Sequence, residues 1–187
     1  MPVHDWARVS AGTFHDFHMS WNAELKKALN AGLLPAGYYA QVEQHAGGYI
    51  ADILTLQVGL PETPTPSKKG APRSIAIRHA SGHRVVALIE IESTANKDRA
   101  RSVKQFVTKA LGALQVGCHL LVIDVLPPGK FDPRGMHAAL WKFYDRNAYR
   151  LPPDKPLTLA VYVSKSQPEA SCRIWPWAKC YLKCHCF

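Results

Sequence analysis

Apolar positions recur along this chain first at helical and then at strand spacing, and the change of rhythm outlines the architecture. Phe14, Phe17, Trp21, Leu25, Ala28 and Leu29 form one helical stripe running to about Asn30. Thr13 is the expected N-cap, with Asp16 three positions later, and Gly32 followed by Pro35 supplies the stop. His18 falls in line with Phe14 and Trp21, so it is expected as a hydrogen-bonded core or edge histidine rather than a metal ligand with His15. From Gly37 the pattern alternates. Residues 37–44 and 49–58 predict two strands joined by a turn at 46–48, and the proline-rich stretch 60–72 predicts a loop. Residues 74–80 and the strand that starts at Arg84 predict a second hairpin, which makes the run Val85, Val86, Leu88, Ile89, Ile91 central. A helix over about 97–115 carries Val103, Phe106, Val107, Ala110, Leu111 and Leu114, and Gly117 ends it. A strand over 118–126, a turn at 127–130, a helix over 135–146 and a last strand over 157–163 complete the pattern. The order predicts an α/β (α+β) fold, a mixed sheet flanked by helices.

Acids interrupt the apolar strands. Glu90 sits inside the central one, where a carboxylate costs several kcal/mol unless a cation or hydrogen-bond donors meet it. Glu92 lies two residues on, hence on the same side of the strand and roughly 6.5 to 7 Å away. Asp52, flanked by Ile50, Ala51, Ile53 and Leu54, repeats the pattern, and its structural alternative is a satisfied strand or turn aspartate. Asp52, Glu90 and Glu92 together would make an oxygen-rich corner suited to Mg²⁺, which is held by one or two carboxylates plus phosphate and water. Lys97, Arg101 and Lys104 recur at helical spacing just after the acidic strand. They could reach back to the acids or outward to a phosphate, the alternative being an ordinary solvated basic face.

With 187 residues, 47% of them hydrophobic, the chain can bury one ordinary core, and a single domain over 1–164 is expected. The formal charge of +9 favours polyanionic partners, nucleic acid among them. No apolar run has transmembrane length and the first residues do not resemble a signal peptide, so no membrane partner and a cytoplasmic location are expected.

The segment Glu90-Ile-Glu-Ser-Thr-Ala-Asn-Lys97 resembles the strand-to-helix signature E-I-L-S-P-A-N-K of a bacterial domain-of-unknown-function family, number 4058. His4-Asp-Trp6, His15-Asp-Phe-His18 and Gly32-Leu-Leu-Pro-Ala-Gly-Tyr-Tyr39 are similar to its short members, and the resemblance covers about residues 1–164. That family is related to PD-(D/E)XK nuclease-like putative restriction endonucleases. The nuclease pattern has Pro-Asp on the second core strand, where this chain has Ala51-Asp52, and (Asp/Glu)-x-Lys on the third, where it has Glu90-Ile-Glu92. Glu92 thus stands in place of the lysine. In related putative endonucleases a lysine comes from the following helix, which makes Lys97 or Lys104 the candidates for positioning water. The resemblance implies Asp52 and Glu90 as Mg²⁺ ligands, Glu92 as an auxiliary ligand, and a phosphodiesterase acting on DNA or RNA. The alternatives are a catalytically inactive module that binds nucleic acid through Lys97, Arg101 and Lys104, and a protein–protein adaptor using the aromatic segment 136–149.

Residues 165–187 are a separate expectation. Cys172, Cys180, Cys184 and Cys186 crowd this tail, while the rest of the chain holds Cys118 alone, so a disulfide framework is not expected. The spacing is unlike the paired knuckles of zinc sites, and zinc is not expected. One codon choice for Ile174–Phe187, read two nucleotides out of frame, gives Leu-Ala-Val-Gly-Glu-Val-Leu-Pro-Glu-Met-Pro-Leu-Leu, similar to the continuation of the family after its last strand. The tail is therefore expected to be a frameshift product without its own fold.

Overall fold

A computed structural model describes residues 5–44, 73–143, 149 and 157–164. The expected strand over 49–58 with Asp52, the loop over 60–72 and the tail from 165 lie outside the described residues.

Helix α1 (Ala11–Ala28) starts three residues before the sequence pattern places it. Ser10, rather than Thr13, is the N-cap: its backbone is extended and its Oγ accepts from the Thr13 N–H at 3.1 Å. This satisfies one of the donors that a first turn leaves orphaned. A π-helical turn, Leu29–Leu33, ends the helix where Gly32 takes a positive φ of 119°, a conformation costly for any residue with a Cβ. Asn30 then docks the next strand, accepting from the Ala40 N–H at 2.7 Å and donating to the Ala40 carbonyl at 3.0 Å.

Among the described residues five strands follow: β1 (Tyr38–Gln44), β2 (Arg73–His79), β3 (Val85–Ile91), β4 (His119–Asp124) and β5 (Thr158–Tyr162). They lie side by side in chain order. The β1–β2, β2–β3 and β4–β5 pairs are antiparallel and β3–β4 is parallel. Parallel pairing demands a crossover, supplied by a short helix α2 (Thr94–Lys97) and the longer α3 (Ala100–Gln115). The last described helix, α4 (Gly135–Trp141), lies between β4 and β5 in the chain.

The acidic strand is central, as its apolar run predicts. As the hairpin pattern predicts, its antiparallel neighbour is β2 (Arg73–His79), and its other edge pairs with β4.

Side-chain alternation splits the core between the two faces of the sheet. Ile75, Ile77, Ile89, Ile91 and Ile123 pack with Trp21 and Leu25 of α1. Leu88, Leu120, Val122, Ala160 and Tyr162 pack on the other face with Val103, Phe106, Val107 and Ala110 of α3 and with Met136 and Leu140 of α4. Glu90 and Glu92 continue the Leu88 side of their strand, so both acids belong to the α3 face. His18 bears out its expected core role, donating from Nε2 to the Ile91 carbonyl at 3.0 Å. That bond fixes α1 to the end of β3, one residue before Glu92.

Candidate functional site

Four buried carboxylates collect on the α3 face and in the loop beyond it: Glu90, Glu92, Asp124 and Asp132. The parallel register pairs Ile91 with Ile123, so Glu92 and Asp124 occupy equivalent places just past that pair. Sequence reasoning passed over Asp124 although it interrupts an apolar strand as Glu90 does. Asp132, in a polar loop, carried no such signal.

Two lysines meet these acids, and only one is among those expected. Lys109 of α3 places its Nζ 2.7 Å from Glu90 Oε1 and donates to Ser74 Oγ at 3.0 Å, while the Ser74 hydroxyl donates to the same Glu90 oxygen. β2 supplies the serine, β3 the acid and α3 the cation. Lys109 follows Phe106 by three residues and precedes Ala113 by four, on the flank of the buried stripe. Its signal was that position, once a buried Glu90 is known to need a cation.

Lys97 turns the other way. Its Nζ lies 3.0 and 2.9 Å from the two Asp124 oxygens, 3.1 Å from the Leu126 carbonyl and 2.9 Å from Asp132 Oδ2. The expected common flank of Lys97, Arg101 and Lys104 does not form, because Arg99 is extended (φ −156°, ψ 159°) and breaks the helix between α2 and α3. Ser102 Oγ donates to Asp98 across that break at 2.6 Å. Arg101 and Lys104 are exposed, and neither forms an ion pair among the described residues.

Glu92 is fully buried. Its Oε2 accepts from Asn96 Nδ2 at 3.0 Å, and its Oε1 has no hydrogen-bond partner among the described residues. Burial first, and then the Asp124 charge, push its carboxyl well above the usual range; the Asn96 bond opposes them, the Glu90 charge adds to them, and Lys97 pulls the other way. Burial also raises Asp124, against the opposing pull of Lys97 and of N–H bonds from Leu126 and Met136. The Cys118 thiol is pushed up to about 12 by burial, with the Glu90 charge adding to the effect, so it is no nucleophile at neutral pH.

Hard oxygen donors suit Mg²⁺ in kind. Glu90 is an acid on the correct face, and the unpartnered Glu92 Oε1 is a buried acceptor that a cation would satisfy once the carboxyl gives up its proton. Among the described residues no three Asp, Glu, His or Cys side chains converge as a ligand set, and Asp52 lies outside those residues. Glu90 and Glu92 therefore fit part of a shell.

Fold and site together define a mixed α/β protein whose central strand carries a buried Glu90–Lys109 pair and whose parallel neighbour ends in a buried Asp124–Lys97 pair. Comparison with protein-family models, curated proteins and solved structures gives no match to this chain. No described helix is long and apolar enough to cross a membrane.

Proposed function

We propose that this protein is a nuclease-like, Mg²⁺-dependent phosphodiesterase acting on DNA or RNA, on a PD-(D/E)XK-like sheet. Lys109 takes the role first expected of Lys97 or Lys104. The observation that carries the reading is the Lys109 ammonium, 2.7 Å from Glu90 on the strand face that also bears the unpartnered Glu92 oxygen. Glu90 and Asp52 are the proposed ligands and Glu92 the auxiliary one. A lysine has three donors, of which Glu90 and Ser74 take two among the described residues; the third is the one proposed to orient a water or a phosphate oxygen. Ser74 holds the Glu90 carboxylate in place. Bound Mg²⁺ supplies charge stabilisation for the phosphodiester and activation of water.

The test is incubation of plasmid and oligonucleotides with and without Mg²⁺ or Mn²⁺, using Glu90→Gln, Lys109→Met and Asp52→Ala variants whose folding is verified by circular dichroism. Cleavage should fall by about a hundredfold or more in each. Cleavage that persists unchanged in all three sinks the proposal.

A second reading, a catalytically silent nucleic-acid-binding module, is favoured by one specific observation: Lys97 and Lys109 already neutralise Asp124 and Glu90 as internal pairs. It is distinguished by binding that weakens steeply with salt, without cleavage under any metal condition.

A further inference from the structure

Beside the acidic corner, the chain from β4 into α4 is held by side-chain and backbone hydrogen bonds. Asp124 accepts from the Leu126 N–H at 3.2 Å and from the Met136 N–H at 3.4 Å, so one side chain clamps both ends of the connection. Asp132 Oδ1 accepts from the Gly129 N–H at 2.9 Å, and the Asp132 carbonyl accepts from the Gly135 N–H at 2.7 Å. Lys97 ties Leu126 and Asp132 to α2. What this rigid loop presents outward is Phe131, 37% exposed, with the Lys130 ammonium 5.4 Å from its ring centroid. The arrangement recurs at the far end of α4. There Phe143 is 58% exposed, with the Lys142 ammonium 5.3 Å from its centroid. The seven residues of α4 separate the two pairs by about 10 Å of helix.

We propose that Lys130–Phe131 and Lys142–Phe143 form a stacking platform for single-stranded nucleic acid, each ring taking a base and each lysine a neighbouring phosphate. A protein interface would gather apolar residues into a core depleted of lysine. Here each ring instead carries its own cation, on a chain of formal charge +9. Single strands need that combination, because every base has a π-face and every nucleotide a charge. The platform deepens the phosphodiesterase reading by naming single strands as its substrate class; it rests on that reading for cleavage, not for binding.

The test measures binding of a short fluorescent oligothymidylate by anisotropy, in EDTA so that no hydrolysis intervenes. Phe131→Ala and Phe143→Ala should each weaken binding about five- to hundredfold with unchanged melting temperatures, and Phe131→Trp and Phe143→Trp should restore it. Lys130→Ala and Lys142→Ala should each lower the slope of log affinity against log salt by about 0.7. Duplex DNA of the same length and heparin, which offer no free base, should bind the parent and both Phe→Ala variants alike. Unchanged oligothymidylate binding in the Phe→Ala variants, equal losses on heparin, or no binding by the parent chain overturns the platform. Binding that follows these expectations without any cleavage in Mg²⁺ or Mn²⁺ supports the platform and overturns the hydrolase reading alone.

Discussion

Glu92 carries a carboxyl with no exposure to water and one oxygen without a partner, and ionising it there is what links this residue to stability. Its folded pKa lies above that of the unfolded chain, so the folded state holds the proton longer as pH rises. Its contribution is complete below the ordinary carboxyl range and is lost as pH climbs through the raised value. His137 acts with the opposite sign. Burial lowers its pKa from 6.5 to about 4, so the unfolded chain takes the proton first and stability is lost as pH falls across that interval, by about 3 kcal/mol in all. Their slopes oppose each other between about pH 4.5 and 6.5, so urea unfolding of the parent should vary little there, with an alkaline limb of falling stability beyond. Glu92→Gln should abolish the alkaline limb, uncover a rise of stability with pH up to about 6.5 and leave the chain at least as stable as the parent near neutrality; His137→Gln should extend the alkaline limb down toward the ordinary carboxyl range. An alkaline limb unaltered by Glu92→Gln would show that burial does not raise this carboxyl.

The break between α2 and α3 decides what the basic residues do. An unbroken helix would hold Lys97, Arg101 and Lys104 on one side, whereas the extended Arg99 leaves Lys97 free to turn inward and bind the β4–α4 loop. Lys97 is thus a latch joining α2, the end of β4 and Asp132. Lys97→Met should cost about 3 to 5 kcal/mol, because two buried carboxylates lose their cation, and adding Asp132→Asn should recover part of that loss. Lys104→Ala, on the exposed face, should change stability by less than about 0.5 kcal/mol. Chemical denaturation distinguishes the two. A Lys97→Met variant as stable as the parent would remove the latch from the account.

Across the whole molecule, the core closes on β5. Tyr162 is the last residue of the α3-side cluster, and Ser164 ends the described chain by donating from Oγ to the Leu114 carbonyl at 2.6 Å and from its N–H to His119 Nδ1 at 3.1 Å. Among the described residues, both clusters on the sheet draw on residues before 165. A chain ending after Ser164 should keep its melting temperature to within a few degrees, measured by circular dichroism. The same comparison bears on the expected frameshift, since stoichiometric zinc bound through Cys172, Cys180, Cys184 and Cys186 in the full chain would count against it. The encoding DNA tests it directly.

Much of the architecture was legible in the residues because it depends on local periodicity. The stripe of α1, the apolar run of β3, the stripe of α3 and its glycine stop at Gly117 all follow from spacing that a helix or strand imposes on its own sequence. Glu90 and Glu92 were legible too, since an acid in an apolar strand announces a buried charge. What partners those acids was not, because pairing joins residues far apart in the chain. Ser74 and Lys109 meet at Glu90 only through the β2–β3 register and the packing of α3 on the sheet. Asp132 meets Lys97 only because one extended residue ends a helix that the apolar pattern would have continued. Sequence determined which positions had to be buried and which charges would need neutralising; tertiary structure alone chose the neutralising groups, because a lysine's reach is set by where packing puts its backbone.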